Sequence, residues 1–375
     1  MKVLLVSKSC VVAAHHGRLE ELARMGVDLT VVTPPRWGSQ ALEIKRSDDY
    51  EIRVLPCWFT PHNHFHFYPA RIGRIDADLV YLEEEPWSLV TYQFMRLCRK
   101  AGKPVVFFTW QNIHKEFPPP FGYFERHTFL HSQGAIAGSQ GAAQILRAKG
   151  FHKPIAVVPL GVDPGVFIPR EVSSLRKKLG IENVFVVGFV GRLLRAKGIE
   201  DLLRAFRMLP SDCYLAIVGD GEFRAEAESL AVRLGVNSRI LWIPQVPSLE
   251  VPDYMNLLDV LVLPSRTQPN WKEQFGRVLV EAMACEVPPI GSDSGEIPNV
   301  IADAGLTFPE GDIQTLTAHL RRLYENPDLR RQLGAKGRLR VLEHYTHRRI
   351  AEQSLEFYRH VLSAQNSTQR EQILA

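Results

Sequence analysis

The sequence predicts an α/β protein made of two doubly wound, Rossmann-like domains. Its 375 residues are a usual length for two domains that each have a hydrophobic core. Short runs of β-branched residues alternate with helical segments along most of the chain, a pattern typical of parallel sheets covered by crossover helices. A segment rich in proline and glycine interrupts this alternation near the middle of the chain.

The first series consists of short apolar runs separated by segments with helical periodicity. Strands are predicted at residues 3–6, 29–32, 51–55, 79–82, 105–109, 135–137 and 155–158. Helices are predicted between several of these strands, at residues 15–25, 89–100 and 140–149. Because strands and helices alternate, we expect a parallel sheet.

The domain boundary is predicted at residues 159–169, where three prolines and two glycines interrupt any regular element. We therefore expect an N-terminal Rossmann-like domain at residues 1–160 and a C-terminal Rossmann-like domain at residues 170–345. A final helix at residues 346–363 is expected to pack back on the N-terminal domain. The polar residues 365–372 are expected to fray.

The second series repeats the pattern of the first. Strands are predicted at residues 185–190, 215–218, 240–243, 260–263 and 288–291. Helices are predicted at residues 198–208, 223–234, 276–286 and 313–326. Two such domains are expected to face each other across a cleft, and ligands of doubly wound sheets lie at the carboxyl ends of the strands.

Composition excludes several classes of protein. Hydrophobic residues make up 45% and charged residues 23% of the chain, which is typical of globular proteins. A net charge of +4 without a long basic block disfavours a nucleic-acid binder but suits an anionic substrate or an anionic membrane surface. The five cysteines form no Cys-x-x-Cys pair, so neither disulfides nor zinc are expected and a reducing cytoplasm is predicted. No apolar run is long enough to span a membrane.

The most informative segment is Glu273-Gln-Phe-Gly-Arg-Val-Leu-Val-Glu281. Glu273 is predicted to lie in a loop before a helix that Gly276 opens, and Glu281 lies more than one turn inside that helix. Apolar neighbours favour a desolvated Glu281, although a solvent-exposed glutamate is the ordinary alternative. Such a carboxylate can accept two hydrogen bonds from a vicinal diol such as ribose, and a helix start attracts phosphate oxygens. The segment therefore suits a nucleotide sugar.

A second segment with two cations, Gly191-Arg-Leu-Leu-Arg-Ala-Lys-Gly198, follows a predicted strand. Its glycines allow close backbone approach, and Arg192 and Lys197 lie beside a predicted helix start. Cations placed there would stabilise the charge that a nucleoside diphosphate gains as its glycosidic bond breaks, so that no metal is required. Taken alone, the segment also fits a solvated basic turn. It is not a Walker motif, and the first strand is not followed by a dinucleotide-binding glycine fingerprint.

With these motifs in view, the chain resembles a family-4 retaining glycosyltransferase of the GT-B fold, also described as glycosyl transferases group 1. The resemblance covers nearly the whole chain and is strongest between residues 157 and 308. It depends on four motifs together: Val158-Pro-Leu-Gly-Val-Asp163 with Phe167, Gly191-Arg192 followed by Lys197-Gly198, Val218-Gly-Asp-Gly221, and the glutamate pair with Phe275-Gly276.

The resemblance implies that the domain at residues 1–160 binds the acceptor and that the domain at residues 170–345 binds the nucleotide-sugar donor. It also implies a role for each matching residue. Arg192 and Lys197 would hold the donor diphosphate, and Glu281 would hold the ribose. Glu273 and the amides that follow it would hold the transferred sugar. The implied donor-binding set is Gly191, Arg192, Lys197, Gln274, Phe275, Gly276, Arg277, Glu281, Ser294 and Gly295, with Arg192, Lys197 and Glu273 as the catalytic residues.

The resemblance also implies transfer with retention, by attack from the face of the leaving group, with a donor phosphate oxygen taking the acceptor proton. The sequence departs from the family on the acceptor side. Many relatives carry a glycine pair after the first strand, where this chain reads Ser9-Cys-Val-Val-Ala-Ala-His-His16. They often carry a histidine after the strand that here ends at Thr109, where Gln111 falls nearest and His114 is a possible substitute.

Other polar residues of the first domain are candidates for the acceptor. Glu83, Glu84 and Glu85 follow a predicted strand and could bind acceptor hydroxyls, although a solvated acidic turn is an equal alternative. His62, His64 and His66 alternate and would share one face of a strand, but nearby prolines favour a loop over a metal site.

We therefore expect a cytoplasmic, metal-independent hexosyltransferase that uses a UDP- or GDP-sugar as donor substrate and needs no other cofactor. The expected acceptor is a sugar, a lipid-linked or a small molecule in envelope polysaccharide or glycolipid synthesis. A peripheral contact with the inner face of the membrane is left open, and no oligomeric state is predicted. The alternatives are a nucleotide-sugar epimerase or hydrolase of the same fold and a non-catalytic nucleotide-sugar-binding subunit.

Overall fold

The computed structural model describes residues 1–43, 49–69 and 73–374, with side chains described as far as residue 365. The chain divides into two compact units. The first unit contains Met1–Gly161 together with the segment that begins at His347, and the second contains Val162–Thr346. Both ends of the chain therefore contribute to the first unit.

The first unit is a parallel sheet with helices connecting its strands. Its strands are β1 (Lys2–Val6), β2 (Asp28–Thr33), β5 (Glu51–Val54), β6 (Leu79–Leu82), β7 (Val105–Thr109), β8 (Gly134–Ala137) and β9 (Ile155–Val157), and a small separate hairpin consists of β3 (Arg36–Trp37) and β4 (Gln40–Ala41). Within the described residues the sheet has the order β5-β2-β1-β6-β7-β8-β9, and every pairing in it is parallel. Its helices are α1 (Gly17–Arg24), α2 (Leu89–Lys100), α3 (Phe121–His131), α4 (Gln140–Ala148) and, from the end of the chain, α13 (His347–Leu374).

The second unit has the same kind of architecture. Its strands are β10 (Phe185–Val190), β11 (Cys213–Val218), β12 (Ile240–Ile243), β13 (Val260–Leu263), β14 (Pro289–Ser292) and β15 (Leu306–Phe308). Across the described part of this unit they form a parallel sheet in the order β12-β11-β10-β13-β14-β15. Its helices are α5 (Ser173–Lys178), α6 (Ile199–Arg207), α7 (Arg224–Arg233), α8 (Val251–Asn256), α9 (Arg277–Ala284), α10 (Ile297–Ile301), α11 (Ile313–Glu325) and α12 (Pro327–His344).

Local sequence explains why these elements form where they do. The central strands β6, β7 and β8 are buried along their whole length, as continuous apolar runs of parallel sheets are. Helix α4 is capped by Ser139, whose side chain accepts from the amide of Ala142, and α11 is capped in the same way by Asp312. Apart from the end of the last helix, the predicted strands and helices lie within a few residues of the observed ones.

Several elements were not predicted from the sequence. Strand β15 is only three residues long, and α3 is too rich in aromatic residues to show a clear helical pattern. In α12, two of the buried positions are Gly334 and Gly337. A Cβ at Gly334 would lie 2.1 Å from the carbonyl oxygen of Glu286, so this helix packs by close backbone approach rather than through an apolar stripe.

Helix α13 belongs to the core of the first unit. Its buried residues Ile350, Leu355 and Tyr358 join the hydrophobic cluster on one face of the sheet, and the helix packs against α1. The rings of Tyr358 and Tyr81 are 5.6 Å apart. The helix was predicted to end at residue 363 with a frayed tail, but its backbone continues to Leu374, since no glycine or proline stops it.

Candidate active site

Three loops of the second unit meet because of the order of its strands. Strands β10, β13 and β14 are neighbours and run parallel, so their carboxyl ends lie at one edge of the sheet. The loop after β10 carries Arg192 and Lys197, and the loop after β13 carries Glu273. The loop after β14 carries Ser294 and Gly295. The topology therefore brings together motifs that are up to about a hundred residues apart in the sequence.

The centre of the site is an ion pair between Lys197 and Glu273. The Nζ atom of Lys197 lies 2.6 Å from Oε2 of Glu273, and Oγ of Ser265 donates a hydrogen bond to the same oxygen at 2.8 Å. Glu273 is only 6% exposed. A buried carboxylate is costly unless it is paired and hydrogen-bonded, so these two donors offset the cost of burying Glu273 and fix its direction.

The ammonium group of Lys197 also lies over an aromatic ring. Its Nζ atom is 5.3 Å from the ring centroid of Trp271, within the range of a cation–π contact. Lys197 therefore touches Glu273 on one side and an indole face on another. Neither Trp271 nor Ser265 was predicted as a site residue, because both lie outside the glycine and glutamate motifs that marked the site.

Two glycines set the spacing of these loops. Gly198 has φ +70°, and a Cβ there would lie 1.8 Å from the carbonyl oxygen of Pro264. Gly295 has φ +59°, and a Cβ there would lie 1.9 Å from the carbonyl oxygen of Glu273. Only glycine fits either position, for steric as well as conformational reasons. The residues that carry the ion pair are thus supported by direct backbone contact with their neighbours.

The loop after β10 also packs on the turn that follows β11. A Cβ at Gly219 would lie 2.1 Å from the carbonyl oxygen of Gly191. Arg192 follows Gly191 directly, and its side chain is exposed. Within the described part of the chain, no hydrogen bond or ion pair engages its guanidinium group. Arg192 is therefore a cation that can reach a ligand without first breaking another contact.

Glu281 lies inside α9, where the sequence predicted it, and its ionic partner is one turn away. Its Oε1 atom is 2.9 Å from Nε of Arg277, the first residue of the helix. The side chain of Glu281 is 14% exposed. Burial raises the pKa of this carboxyl group above its ordinary value, and the neighbouring Arg277 opposes that shift. The carboxylate is thus largely desolvated.

The remaining donor-side candidates surround this centre. Ser294 is fully buried, and its Oγ lies 3.1 Å from Oγ1 of Thr267. Phe275 is also buried, and its ring lies 5.8 Å from that of Tyr345. Gly276 precedes α9 with φ +81°, a conformation that suits glycine. Gln274 lies in the loop with Glu273.

The acceptor-side candidates lie in the first unit, after strands β6 and β7. Glu85 accepts hydrogen bonds from Oγ1 of Thr109 at 2.6 Å and from the amide of Trp110 at 2.9 Å. Burial raises the pKa of Glu85 to about 7, although these two donors oppose the shift. Glu83 forms an ion pair of 2.7 Å with Arg18. Both carboxylates therefore have partners within the first unit, which the sequence did not indicate.

Gln111 and His114 differ in their exposure. Gln111 is 9% exposed and donates from Nε2 to the carbonyl oxygen of Ile113 at 3.1 Å. His114 is exposed. The structure thus places Gln111 at the end of β7, where the family resemblance expects a histidine, and His114 farther out on the loop.

Glu84 lies in a buried cluster whose members the sequence did not indicate. Glu84 is 2% exposed, forms an ion pair with Lys8, and has Nε2 of His66 at 3.5 Å. Burial opposes ionisation of Glu84, but Lys8 and His66 outweigh it and lower its pKa to about 2. The signal available in the sequence was a run of glutamates that begins directly after a fully apolar strand, with Glu84 as its second residue.

The histidines at residues 62, 64 and 66 are not placed together as metal ligands. They lie in a turn rather than on a strand, His66 is buried against Glu84, and the other two are exposed. Among the residues that the structure describes, no group of three His, Cys, Asp or Glu side chains could hold a metal ion. The same residues include no helix that is long and apolar enough to cross a membrane.

Comparisons with known proteins cover both units. Residues 171–340 match the family model for glycosyl transferases group 1, and residues 18–166 match the model for glycosyltransferase family 4. The chain is 32% identical over 260 residues to the alpha-maltose-1-phosphate synthase of Mycolicibacterium smegmatis, a match that covers 64% of this chain and 66% of that one.

A second relative is a GDP-mannose-dependent monoacylated alpha-(1-6)-phosphatidylinositol monomannoside mannosyltransferase of Corynebacterium glutamicum. The identity is 33% over 207 residues, covering 52% of this chain and 53% of the relative. The chain thus matches less than two thirds of the length of either curated relative.

The fold is shared with solved structures along almost the entire chain. The crystal structure of HepE from Anabaena in complex with UDP and glucose superimposes with a TM-score of 0.75 at 20% identity, covering 96% of this chain and 99% of that one. The two parallel Rossmann-like sheets and this likeness confirm the predicted GT-B fold. The two family models together match most of the chain, which therefore belongs to glycosyltransferase family 4, with a second half of the glycosyl transferases group 1 type.

Proposed function

We propose that this chain is a retaining glycosyltransferase that moves a hexose from a UDP- or GDP-sugar to a sugar, lipid-linked or small-molecule acceptor, without a metal ion. The observation that carries the proposal is the buried ion pair of Lys197 with Glu273, held by Ser265 at the carboxyl edge of a parallel sheet. An ammonium group fixed in this way is preorganised to stabilise charge on a leaving diphosphate.

The leaving diphosphate would interact with two cations of different character. Lys197 is held in place by Glu273, whereas Arg192 is exposed and follows a glycine at the end of β10. An arginine fork can bind two phosphate oxygens at once, which suits Arg192 to the diphosphate. Two positive charges there lower the barrier for breaking the bond between the anomeric carbon and the phosphate oxygen.

Two carboxylates would hold the sugars of the donor. Glu273 lies directly beside Lys197, so a sugar attached to the bound diphosphate would reach it. Glu281 is largely desolvated. It pairs with Arg277, the first residue of the helix that starts at the site. Hydrogen bonds to a charged, desolvated acceptor are strong, so a ribose diol is a suitable ligand for Glu281.

In the reaction we propose, the glycosidic bond to the phosphate breaks and the acceptor hydroxyl attacks from the same face. The hydroxyl proton passes to the departing phosphate oxygen, so the site needs no side chain as a general base. The complex of HepE with UDP and glucose and the GDP-mannose dependence of the mannosyltransferase relative support a nucleotide sugar as donor. The phosphatidylinositol mannoside in that relative's name supports a glycolipid acceptor, in keeping with envelope polysaccharide or glycolipid synthesis.

We also propose that the enzyme works in the cytoplasm. The five cysteines are all free, and four of them are buried among other side chains. Burial raises the pKa of Cys10, Cys98 and Cys285 to about 12, which keeps these thiols protonated and unreactive. Such a set suits a reducing compartment.

The proposal is tested by replacing the exposed cation. We expect Arg192→Ala to lower kcat/KM by roughly 100-fold or more, because a charge-stabilising contact of the transition state is lost. The folded protein should be unaffected, since Arg192 is exposed. Initial rates with UDP- and GDP-sugars, with and without a chelator, provide the measurement.

The matched control is Arg195→Ala, three residues away. Arg195 is also exposed, but it pairs with Glu226 rather than facing the site motifs. Equal activity of the Arg192 and Arg195 variants would contradict the assignment. NMR of the product gives the anomeric configuration, and conversion or hydrolysis of the donor without any acceptor would instead indicate an epimerase or hydrolase.

A further inference from the structure

Helices α2 and α3 of the first unit pack side by side and leave an open groove of roughly 750 Å³ between them. The groove lies outside every site residue described above. Its lining includes four permanently charged cations, Arg96, Arg99, Lys100 and Arg126. All four are exposed, and the described lining contains no carboxylate. We call this surface the α2–α3 face.

The charges of the α2–α3 face follow from helical spacing. Arg96, Arg99 and Lys100 are three and four residues apart on α2, so they point to one side of that helix. The sequence of α2 contains no acidic residue. On α3, Arg126 is on the groove side, whereas Glu125 is nearly buried and is neutralised by Lys149. Nothing within the face therefore balances its positive charge.

Apolar side chains lie among these cations. Leu130 is 69% exposed and Tyr123 is 50% exposed, and both line the groove. They are three or four residues from Arg126 along α3, on the same side of the helix. Exposing a leucine side chain to water is unfavourable. A leucine or tyrosine beside basic residues is typical of helices that lie at a membrane interface.

From this arrangement we propose that the α2–α3 face binds the surface of an anionic phospholipid bilayer. The arginine and lysine groups contact lipid phosphates, and Leu130 and Tyr123 enter the boundary between head groups and acyl chains. The long stems of the basic residues allow their charged ends to stay at the level of the phosphates. A nucleic acid would satisfy the cations but would leave Leu130 without an apolar partner, so the bilayer is the better match.

Binding of full-length protein to lipid vesicles tests the proposal independently of the transferase reaction. We expect the protein to sediment with vesicles made of equal parts phosphatidylglycerol and phosphatidylcholine, and to stay in solution with phosphatidylcholine alone. Each basic residue near an anionic surface strengthens binding several-fold, so the triple variant R96A/R99A/R126A should bind about 100-fold more weakly. Leu130→Ser should also weaken binding, because the apolar anchor is lost.

A matched control removes the same charge elsewhere. Arg195, Arg204 and Arg233 line a surface groove of the second unit. In that groove Glu226 pairs with Arg195 and Glu200 pairs with Arg204, so two of the three charges are offset. The variant R195A/R204A/R233A should bind anionic vesicles as the unmodified protein does. Thermal melting and circular dichroism confirm that each variant is folded.

Three results would overturn the proposal. One is equal binding to neutral and anionic vesicles, and another is equal loss of binding in the two triple variants, which would show an effect of net charge alone. The third is the absence of vesicle binding combined with tight binding of a short DNA duplex, which would assign the face to nucleic acid instead.

Discussion

The side chain of Glu273 shows how short-range contacts fix the position of a charged residue. Its Oε2 atom accepts from both Lys197 and Ser265, and the residue is almost completely buried. A single carboxylate held by two donors loses little further freedom when a ligand binds, which favours precise placement of a sugar. The same ion pair keeps the side chain of Lys197 from moving into solvent.

At the residue scale, Glu281→Ala tests the ribose contact. We expect the variant to bind the donor nucleotide about 2 to 4 kcal/mol more weakly, because charge-assisted hydrogen bonds are lost. Titration calorimetry with UDP and GDP measures the affinity. Glu226→Ala, an exposed glutamate of the same unit that pairs with Arg195, is the control and should bind normally. Unchanged affinity in the Glu281 variant would exclude that contact.

Glu85 makes the first unit sensitive to pH. Its folded-state pKa of about 7 lies above its ordinary value of 4.5, so ionising Glu85 opposes folding. Its contribution to stability is therefore complete below about pH 4.5 and is lost as the pH rises through about 7. A shift of this size corresponds to about 3 kcal/mol at most.

Glu85→Gln should remove this penalty while keeping an oxygen to accept from Trp110. We expect the variant to gain up to about 2 kcal/mol over the unmodified protein near pH 8 and almost nothing near pH 4.5. Urea unfolding of both proteins near pH 8 and near pH 4.5 measures the difference in the free energy of unfolding. A gain that is the same at both values would show that the charge of Glu85 is not its cause.

At the element scale, glycines decide how the loops of the second unit meet. Gly198 and Gly295 each lie where a Cβ would collide with a backbone oxygen of the next loop. Lys197 directly precedes Gly198, and Gly295 approaches the carbonyl oxygen of Glu273. The ion pair of Lys197 with Glu273 therefore depends on both glycines. The turn between two elements is thus as much a part of the site as the charged residues.

Gly198→Ala tests this dependence. The added Cβ would lie 1.8 Å from the carbonyl oxygen of Pro264 and must push Lys197 out of place. We expect a loss of about 3 kcal/mol in the free energy of unfolding and roughly 100-fold in kcat/KM, the cost of a displacement near 1 Å at a reacting centre.

Gly180→Ala is the matched control for that prediction. Gly180 has the same φ of +70°, but a Cβ there meets nothing within 4 Å. Gly180→Ala should lower the free energy of unfolding by only about 1 kcal/mol, through backbone strain, and should leave kcat/KM unchanged. If the two alanine variants behaved alike, the contact with Pro264 would have no role in the site.

At the scale of the whole molecule, the two ends of the chain are tied into one unit. Helix α13 comes after the second unit in sequence but packs its buried residues against β-strands and α1 of the first. The first unit is therefore incomplete until α13 has been synthesised. Its stability depends on contacts between residues more than three hundred positions apart.

Tyr358→Ala should measure that dependence. The ring of Tyr358 is fully buried against Tyr81, so its removal leaves a cavity and should cost about 3 to 5 kcal/mol in the free energy of unfolding. The neighbouring Arg359 is exposed, and Arg359→Ala should change stability by less than about 0.5 kcal/mol. Chemical denaturation followed by circular dichroism compares the two. A small cost for Tyr358 would mean that α13 contributes little to the first unit.

The sequence by itself determined the fold class and the motifs of the donor side. Strands such as β6 and β10 are apolar runs bounded by turn residues, and their periodicity is a local property that can be recognised without coordinates. The loop position of Glu273 and the helical position of Glu281 follow equally from local signals, because Gly276 marks the helix start.

Only the tertiary structure decided which side chains pair. Lys197 and Glu273 are 76 positions apart, and their contact results from the neighbouring places of β10 and β13 in the sheet. The sequence likewise did not indicate the partners of Glu83, Glu84 and Glu85. These partners come from other elements: Arg18 from α1, Lys8 from the segment after β1, and Thr109 from β7. The physical reason is that periodicity reports which face of an element is buried, whereas ion pairs and desolvation depend on what the folded chain places against that face.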